Sequence, residues 1–180
     1  MPTAVTHILL PILLVALFRD FYIRKRDKRK FPLHYVLLAG LGGILPDIDF
    51  VLVWIYGFLG FSTDGIHRTI THSFIFPLVF LILFMALIKI KYPQLGRHKL
   101  TLSKISLMLF IGIVIHLSLD ASLSGPLSIF YPFLDIGIGS NIFYLLPTSL
   151  QGLFFATLDG ILLVLWLIYL EVKHKISDFI

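Results

Sequence analysis

Long apolar runs, separated by short polar or basic breaks, dominate the chain. The runs cover approximately residues 4–18, 33–60, 72–89, 105–123 and 149–170. A helix needs about twenty mainly apolar residues to cross the hydrocarbon core of a bilayer, so the first run is short for a span. The pattern predicts an all-α, multi-pass transmembrane helical bundle with about five spans, forming a single integral membrane domain over residues 1–180.

The composition agrees with a lipid environment. The chain has 180 residues, of which 58% are hydrophobic and 14% charged, whereas about a quarter of the residues are charged in a typical soluble domain. It contains no cysteine, which excludes disulfides and thiolate zinc sites. Any bound metal must therefore be held by histidine and carboxylate, a donor set that suits zinc, manganese or iron.

The basic residues are grouped between the apolar runs. Of the fifteen lysines and arginines, seven lie in residues 19–30, five in 89–104 and two in 173–175. Basic blocks beside apolar runs mark cytoplasmic loops, so we predict an N-terminus outside and a C-terminus in the cytoplasm. The same grouping argues against nucleic acid as a partner. The run 24–30 also fits a solvated segment that faces lipid head groups without a specific partner.

The second apolar run is interrupted near its middle. Three glycines that permit close helix packing come shortly before Pro46, which should kink or break the helix. Unpaired backbone groups at membrane depth are tolerated only where protein or water satisfies them, so a break beside Asp47 predicts a cavity. Counted from Leu33 at about 1.5 Å per residue, Asp47 lies roughly 21 Å above the cytoplasmic end, in the outer half of the bilayer.

Two other segments are predicted to lie on the outer side. Residues 61–71 are expected to form an external loop. Residues 124–148 are apolar but repeatedly broken by glycine and proline, which favours a re-entrant or interfacial segment over a straight span.

Polar side chains within the apolar runs are the candidate chemistry. A charged residue inside a span costs about 2.5–3.5 kcal/mol on insertion scales, so such residues are functional candidates by default. With the N-terminus outside, four short polar fragments reach similar depth in the outer half. The predicted metal ligands in these fragments are His7, Asp47, Asp49, His67, His72, His116 and Asp120.

Simpler roles remain open for some of these residues. Asp47 and Asp49 could cap a helix after the proline break. His116 and Asp120 are four positions apart on one helical face and could form a hydrogen-bonded pair within the bundle.

The spacing and number of the ligands bear on how many ions they hold. His67 and His72 are five positions apart and do not share one face of a continuous helix, but a loop residue and a helix-start residue can still converge. Seven ligands exceed the need of one tetrahedral zinc, which predicts two or three divalent ions, with zinc first and manganese or iron as alternatives. Such a cluster activates a bound water and clamps the oxygens of a phosphoryl displacement.

Five neighbouring residues are predicted to support the ions. Arg68 and Asp49 are the candidate catalytic residues, and Arg68 can hold a phosphate oxygen or, more simply, anchor the chain at the head groups. Thr71 and Ser73 either orient ligands or cap the third span. Asp159, midway along the last span, is a further ligand or a hydrogen-bond partner of a ligand histidine.

The polar fragments together resemble a known family. They are Thr6-His7, Leu45-Pro46-Asp47-Ile48-Asp49, His67-Arg68-x-x-Thr71-His72-Ser73 and His116-x-x-x-Asp120, followed by Gly125 and Pro132. In this order they resemble the membrane-bound metal-dependent hydrolases that include the LexA-binding inner-membrane hydrolases of bacteria. The resemblance implies an integral membrane hydrolase. It also implies a distant relation to zinc-dependent phospholipase C and P1-type nucleases, which are helical and use a three-zinc cluster of histidine and aspartate.

These features predict a metal-dependent hydrolase of the cell membrane, with its active site facing the extracytoplasmic side. A soluble substrate would have little reason to use a site below the head groups, so the expected substrate is a phosphoester of a phospholipid or a lipid-linked phosphate. The alternative is a non-catalytic metal-binding or metal-transport protein, for which only Asp159 hints at a path inward. Membrane lipids are the expected partners, and the oligomeric state stays open.

Overall fold

The chain folds into a helical bundle, as predicted. The computed structural model describes residues 2–22, 31–63, 67–90, 95 and 100–176. The predicted basic loop 24–30 lies outside the described residues, and so does most of 91–99. The α-helices of the described part are α1 Ala4–Tyr22, α2 Leu33–Ile44, α3 Asp49–Phe58, α4 Ile75–Ile88, α5 Leu102–Leu123 and α6 Thr148–His174.

Four apolar helical stretches are long enough to cross a membrane. They are Ala4–Tyr22, Leu33–Phe58, Leu102–Leu123 and Thr148–His174. The remaining predicted span, the third along the chain, corresponds to α4, which has 14 residues and is therefore about 21 Å long, against a hydrocarbon core of about 30 Å. Among the described residues the bundle thus has four stretches of spanning length, one of them divided between α2 and α3, and one shorter apolar helix.

The second apolar stretch breaks where the proline predicted it. Helix α2 ends at Ile44, a 3₁₀ turn covers Leu45–Ile48, and α3 begins at Asp49. Pro46 lies at the start of that turn, where its missing N–H would be unpaired in any case. After the break Asp47 faces His72 and His116, and Asp49 contacts His67 in the segment before α4.

Glycine contacts bring α1, α2 and α5 close to one another. A Cβ on Gly43 would collide with the carbonyl oxygen of His7, and a Cβ on Gly112 would collide with that of Ala39. Close approach of this kind is typical of small residues at helix interfaces in membranes. The three helices and the end of α6 enclose the main core. It comprises Ile12, Val15, Ala16, Tyr35, Val36, Ala39, Met108 and Tyr169.

A buried polar group joins α1 and α6 at the end of the bundle away from His7. Arg19 donates a hydrogen bond from Nε to the carbonyl oxygen of Phe31 at 2.8 Å and pairs with Asp20 at 3.2 Å. The Tyr169 hydroxyl donates to the other oxygen of Asp20 at 3.3 Å. These contacts satisfy the buried charges of Arg19 and Asp20 within the protein.

The segment between α5 and α6 contains no α-helix, in agreement with the sequence prediction. It includes a two-residue antiparallel hairpin of β1 Leu127–Ser128 with β2 Gly137–Ile138, and a 3₁₀ turn at Ile142–Leu145. Several of its apolar side chains are exposed, for example Phe133 at 73%. An apolar surface of this kind suits an interfacial position.

Candidate metal centre

The structure brings the seven predicted ligands together at one end of the bundle. His7 comes from α1, Asp47 from the 3₁₀ turn after α2 and Asp49 from the start of α3. The segment before α4 contributes two histidines, and α5 contributes the remaining pair. Burial is nearly complete at the centre, where His72 and His7 are 1% exposed.

Two imidazoles and two carboxylates form the core of the cluster. The Nε2 atoms of His72 and His116 are 3.2 Å apart, and Asp47 Oδ1 lies 3.6 Å from each of them. Asp120 Oδ2 lies 3.7 Å from His72 Nε2 and 4.0 Å from His116 Nε2. Tetrahedral zinc with bonds of about 2.0–2.1 Å would separate its ligand atoms by about 3.3–3.4 Å. The observed spacing therefore fits a shared cation.

Hydrogen bonds aim the two central imidazoles at each other. His116 Nδ1 lies 2.6 Å from the carbonyl oxygen of Gly43, which can only accept, so Nδ1 carries the proton and Nε2 presents its lone pair. The Thr71 hydroxyl donates to Asp49 and lies 3.1 Å from His72 Nδ1, which leaves His72 Nε2 equally free. Two lone pairs this close repel each other unless a proton or a cation lies between them.

Opposing effects act on the pKa of His72. Burial lowers the pKa of its imidazole, but the nearby carboxylates of Asp47, Asp49 and Asp120 raise it, and the net pKa lies above the ordinary value. A proton on His72 can be shared with His116, and a divalent cation would replace that proton.

Buried polar atoms without hydrogen-bond partners surround this core. They include both ring nitrogens of His7, Asp47 Oδ1 and His67 Nε2. Buried polar groups are nearly always hydrogen-bonded, and all of these atoms are good ligands for a divalent cation. The ring of His7 also stacks on that of His116 at 3.8 Å and places Nε2 3.4 Å from Asp120 Oδ1. The donor set thus fits bound metal.

The ligand atoms form overlapping triads rather than a single shell. Each triad has one ligand atom per residue within 4.8 Å of the others, and the triads are His7–Asp47–His116, Asp47–His67–His72 and His72–His116–Asp120. Asp47, His72 and His116 each belong to two triads, so neighbouring triads share ligand residues.

Asp49 holds the loop that carries His67. Its Oδ1 accepts a hydrogen bond from His67 Nδ1 at 2.9 Å, and its Oδ2 accepts from Thr71 Oγ1 at 2.8 Å and from the Arg68 backbone N–H at 3.2 Å. The alternative that it caps a helix is wrong, because α3 has no side-chain cap. Asp49 belongs to none of the triads, so its role as a direct ligand stays a prediction.

Arg68 lies at the edge of the cluster in a strained conformation. Its φ of 64° is in the left-handed region, which costs a non-glycine residue about 1–3 kcal/mol. The guanidinium Nη2 lies 3.3 Å from Asp120 Oδ2, and the side chain is 23% exposed. Its Nε is buried without a hydrogen-bond partner. The residue thus joins the buried cluster to the exposed surface.

The contacts of Ser73 and Asp159 differ in part from their predicted roles. Ser73 donates to the carbonyl oxygen of Ile70 at 2.8 Å, and α4 has no side-chain cap, so the capping role proposed for Thr71 and Ser73 is wrong. Asp159 accepts hydrogen bonds from the hydroxyls of Thr3 and Thr6, each at 2.6 Å. It lies in none of the triads, and its contacts join α6 to α1 instead.

Some contacts that shape the site were not predicted from the sequence. The carbonyl oxygen of Gly43 fixes His116, and the ring of Phe50 lies 4.2 Å from that of His67. The hydrogen bond from Thr6 to Asp159 was not predicted either. The one sequence signal for Thr6 is that it directly precedes His7.

Comparison with known proteins agrees with the membrane fold. Neither the curated proteins nor the solved structures yield a match to this chain. The family described as YdjM inner membrane protein matches residues 1–177. Since that match covers nearly the whole chain, the protein belongs to the YdjM inner membrane protein family.

Proposed function

We propose that the protein is a membrane-embedded, metal-dependent hydrolase that cleaves a phosphoester of a phospholipid or a lipid-linked phosphate. The observation that carries the proposal is the pair of imidazole Nε2 atoms 3.2 Å apart, flanked by the carboxylates of Asp47 and Asp120. Histidine with carboxylate suits zinc, manganese or iron, and the overlapping triads favour two or three ions, zinc first.

The reaction itself requires no oxidant or reductant. The oxygen of a water molecule forms a bond to phosphorus, the P–O bond to the leaving alcohol breaks, and one proton of the water ends on the leaving oxygen. A bound divalent cation would supply a water of lowered pKa and neutralise charge on the phosphate.

We assign the transfer of this proton to Asp49. A carboxylate offers about four acceptor positions, and three of those on Asp49 are taken by His67, Thr71 and the Arg68 N–H. These donors fix the carboxylate, and one position on Oδ1 is left for the proton that passes from water to the leaving oxygen.

Arg68 is assigned to the phosphate. A guanidinium binds phosphate oxygens through paired, charge-assisted hydrogen bonds. The side chain is partly exposed and reaches Asp120 with one nitrogen, which places the guanidinium between the cluster and an anion that approaches from outside. The relation to zinc-dependent phospholipase C and P1-type nucleases, implied by the sequence fragments, also favours phosphoester chemistry.

The proposal places the site on the extracytoplasmic side. The described basic residues Arg19, Lys104 and Lys173 lie at the ends of their helices opposite to the cluster, and basic residues that flank spans favour the cytoplasm. A lipid head group in the outer leaflet would then lie at the depth of the cluster.

A non-catalytic metal-binding or metal-transport protein is the alternative. Transport would require ligands that continue toward the other end of the bundle. Asp159 is engaged by Thr3 and Thr6 beside His7, at the depth of the cluster rather than further inward. Among the described residues toward the other end, the carboxylate of Asp20 is engaged by Arg19 and Tyr169. This arrangement favours the hydrolase.

The test uses purified protein in lipid nanodiscs, stripped with a chelator and reloaded with zinc or manganese. Release of phosphate or head group from phosphatidic acid and phosphatidylglycerol is measured. We expect His67→Ala to reduce release at least about 100-fold, in the range seen when a transition-state contact is removed. His174→Ala, the same change at the far end of α6, is the matched control and should keep full activity.

Other outcomes separate the alternatives. Metal binding without release from any phosphoester would reject hydrolysis and support a scaffold. Uptake of the metal into proteoliposomes without release would support transport. Failure to bind zinc, manganese or iron would reject all three functions.

A further inference from the structure

His67 lies outside the helices and 3₁₀ turns that carry the other six predicted ligands. It precedes the 3₁₀ turn Ile70–His72, and its neighbour Arg68 has a φ of 64°. No helix therefore fixes the direction of its side chain, as helices do for His7 and His116. The imidazole of His67 has to be held by contacts with other elements.

The first turn of α3 supplies two of these contacts from consecutive residues. Asp49 Oδ1 accepts a hydrogen bond from His67 Nδ1 at 2.9 Å, and the centre of the Phe50 ring lies 4.2 Å from that of the imidazole, with 34° between the planes. The hydrogen bond holds the edge of the imidazole but leaves it free to turn about the N···O axis. The contact with the phenyl ring restricts that rotation.

The plane of the imidazole determines where its second nitrogen points. His67 Nε2 is buried without a hydrogen-bond partner, and His67 forms a triad with Asp47 and His72 in which the ligand atoms lie within 4.8 Å of one another. The ring of His72 meets that of His67 edge-on at 4.9 Å. Phe50 therefore bears on whether His67 Nε2 faces the other members of the triad.

Phe50 differs from the rest of α3 in its surroundings. Trp54 and Phe58 are 79% and 91% exposed, whereas Phe50 is 41% exposed and Asp49 is buried. The helix thus meets the remainder of the molecule mainly through its first turn. Both residues of that turn, Asp49 and Phe50, contact His67.

We infer that Phe50 is a positioning residue, whose ring holds the imidazole of His67 in the orientation that presents Nε2 to a divalent cation. This inference rests on the metal site of the proposed function and adds a residue to it. A cation on Nε2 withdraws electron density from the imidazole, and an electron-poor ring is attracted to the negative face of a phenyl ring. Phe50 then favours the metal-bound form over the free one.

The test separates the aromatic ring from mere bulk. Phe50→Leu removes the ring and keeps an apolar side chain, and leucine is a good helix former, so folding is preserved. Phe50→Tyr retains the ring and should restore wild-type behaviour. Trp54→Leu, the same kind of change one turn further along α3, is the matched control.

The first measurement needs neither metal nor substrate. Protein labelled with ¹³C and ¹⁵N at histidine is studied by NMR in detergent micelles, and the signal that disappears in His67→Ala is that of His67. The ring current of Phe50 should displace this signal in the wild type and in Phe50→Tyr. The signal should move in Phe50→Leu and stay in place in Trp54→Leu. An unchanged signal in Phe50→Leu would overturn the inference.

The second measurement is zinc affinity, determined by competition with a chromophoric chelator. The free energy of an aromatic pair corresponds to a factor of about 2–13 in an equilibrium constant, so Phe50→Leu should weaken zinc binding by about that factor. Phe50→Tyr and Trp54→Leu should stay within about 1.5-fold of the wild type. In a His67→Ala background Phe50→Leu should have no further effect, because a residue that acts through His67 is then without its target.

The outcomes distinguish this inference from the proposed function. Full zinc affinity in Phe50→Leu, equal losses in Phe50→Leu and Phe50→Tyr, or an undiminished effect in the His67→Ala background would overturn the role of Phe50. If the wild type binds zinc but hydrolyses no phosphoester, the proposed hydrolysis fails, and the zinc affinities still decide the inference. A wild type that binds no zinc, manganese or iron would overturn both.

Discussion

At the scale of single residues, the cluster is built from pairs whose members fix each other's orientation. The carbonyl oxygen of Gly43 sets the tautomer of His116, and Asp49 sets that of His67. Outer partners of this kind are as important to metal sites as the ligands themselves. Arg68, held at φ 64° between Asp49 and Asp120, is strained where the cluster meets the surface, and functional sites often contain such strain.

The separate roles of Asp120 and Asp159 can be tested by changing each carboxylate to an amide. Asp120→Asn should weaken zinc binding at least about tenfold, because even partners of ligands contribute about 10–100-fold. Asp159→Asn should leave zinc affinity within about twofold, since its carboxylate bonds Thr3 and Thr6. It should lower stability by about 0.6–2 kcal/mol, the range for hydrogen bonds between membrane helices.

Isothermal titration with zinc and thermal unfolding of the same detergent-solubilised samples measure both effects. Equal loss of zinc affinity in the two variants would make Asp159 a ligand after all, against the arrangement seen here.

The sequence singled out the charged side chains that the fold brings together, but it did not single out their uncharged partners. Inserting a carboxylate or imidazole into a membrane span costs free energy. Asp47 and His116 could therefore be recognised as candidates from the sequence. A hydroxyl such as that of Thr3 costs little in a span, and the carbonyl oxygen of Gly43 belongs to the backbone that every residue has. Neither produces a pattern, so both contacts became evident only in the fold.

At the scale of helices, the position of the cluster depends on how closely α1, α2 and α5 approach. Gly43 lies against the His7 carbonyl oxygen, and Gly112 lies against that of Ala39. The same approach lets the Gly43 carbonyl oxygen reach His116. Helix packing and ligand geometry are thus set by the same few contacts.

Alanine substitution at these glycines tests that dependence. Gly43→Ala should destabilise the protein by about 1–3 kcal/mol or more, the usual cost of overpacking, and should lower zinc affinity because it displaces both His7 and the carbonyl oxygen. Gly152→Ala is the matched control, since a Cβ there meets nothing within 4 Å, and alanine is the better helix former. Thermal unfolding and zinc titration give the readouts, and equal behaviour of the two variants would contradict the packing argument.

Helix ends were predictable from the sequence where a particular residue type sets them. They were less predictable where contacts with distant residues set them. The break at Pro46 follows from the missing N–H of proline, and the structure confirms it. Helix α4 starts only at Ile75 and is too short to count as an ordinary span. Thr71 is bonded to Asp49 on α3, and a long-range contact of this kind leaves no periodic signal in the sequence.

At the scale of the whole molecule, the His/Asp cluster and the buried Arg19–Asp20 ion pair lie at opposite ends of the bundle. The His/Asp cluster occupies the end that includes His7 and Asp120, and the buried Arg19–Asp20 pair lies at the other. The all-helical class and the membrane-length helices followed directly from the apolar runs. Which end faces the cytoplasm rests on the basic blocks alone and therefore stays a prediction.

The absence of cysteine allows a direct test of this orientation. Ser140 is exposed, and its N–H bonds the carbonyl oxygen of Ala121 beside Asp120, so Ser140→Cys reports on the cluster end. Lys173 is exposed in the last turn of α6, so Lys173→Cys reports on the opposite end. Right-side-out vesicles are treated with a membrane-impermeant maleimide, before and after permeabilisation, and the cysteine-free wild type sets the background.

Ser140→Cys should react at once, and Lys173→Cys only after permeabilisation, because basic flanks are retained in the cytoplasm. The reverse pattern would turn the cluster toward the cytoplasm, and the phospholipid would then have to come from the inner leaflet. Labelling of both sites in sealed vesicles would contradict an arrangement in which α6 crosses the membrane.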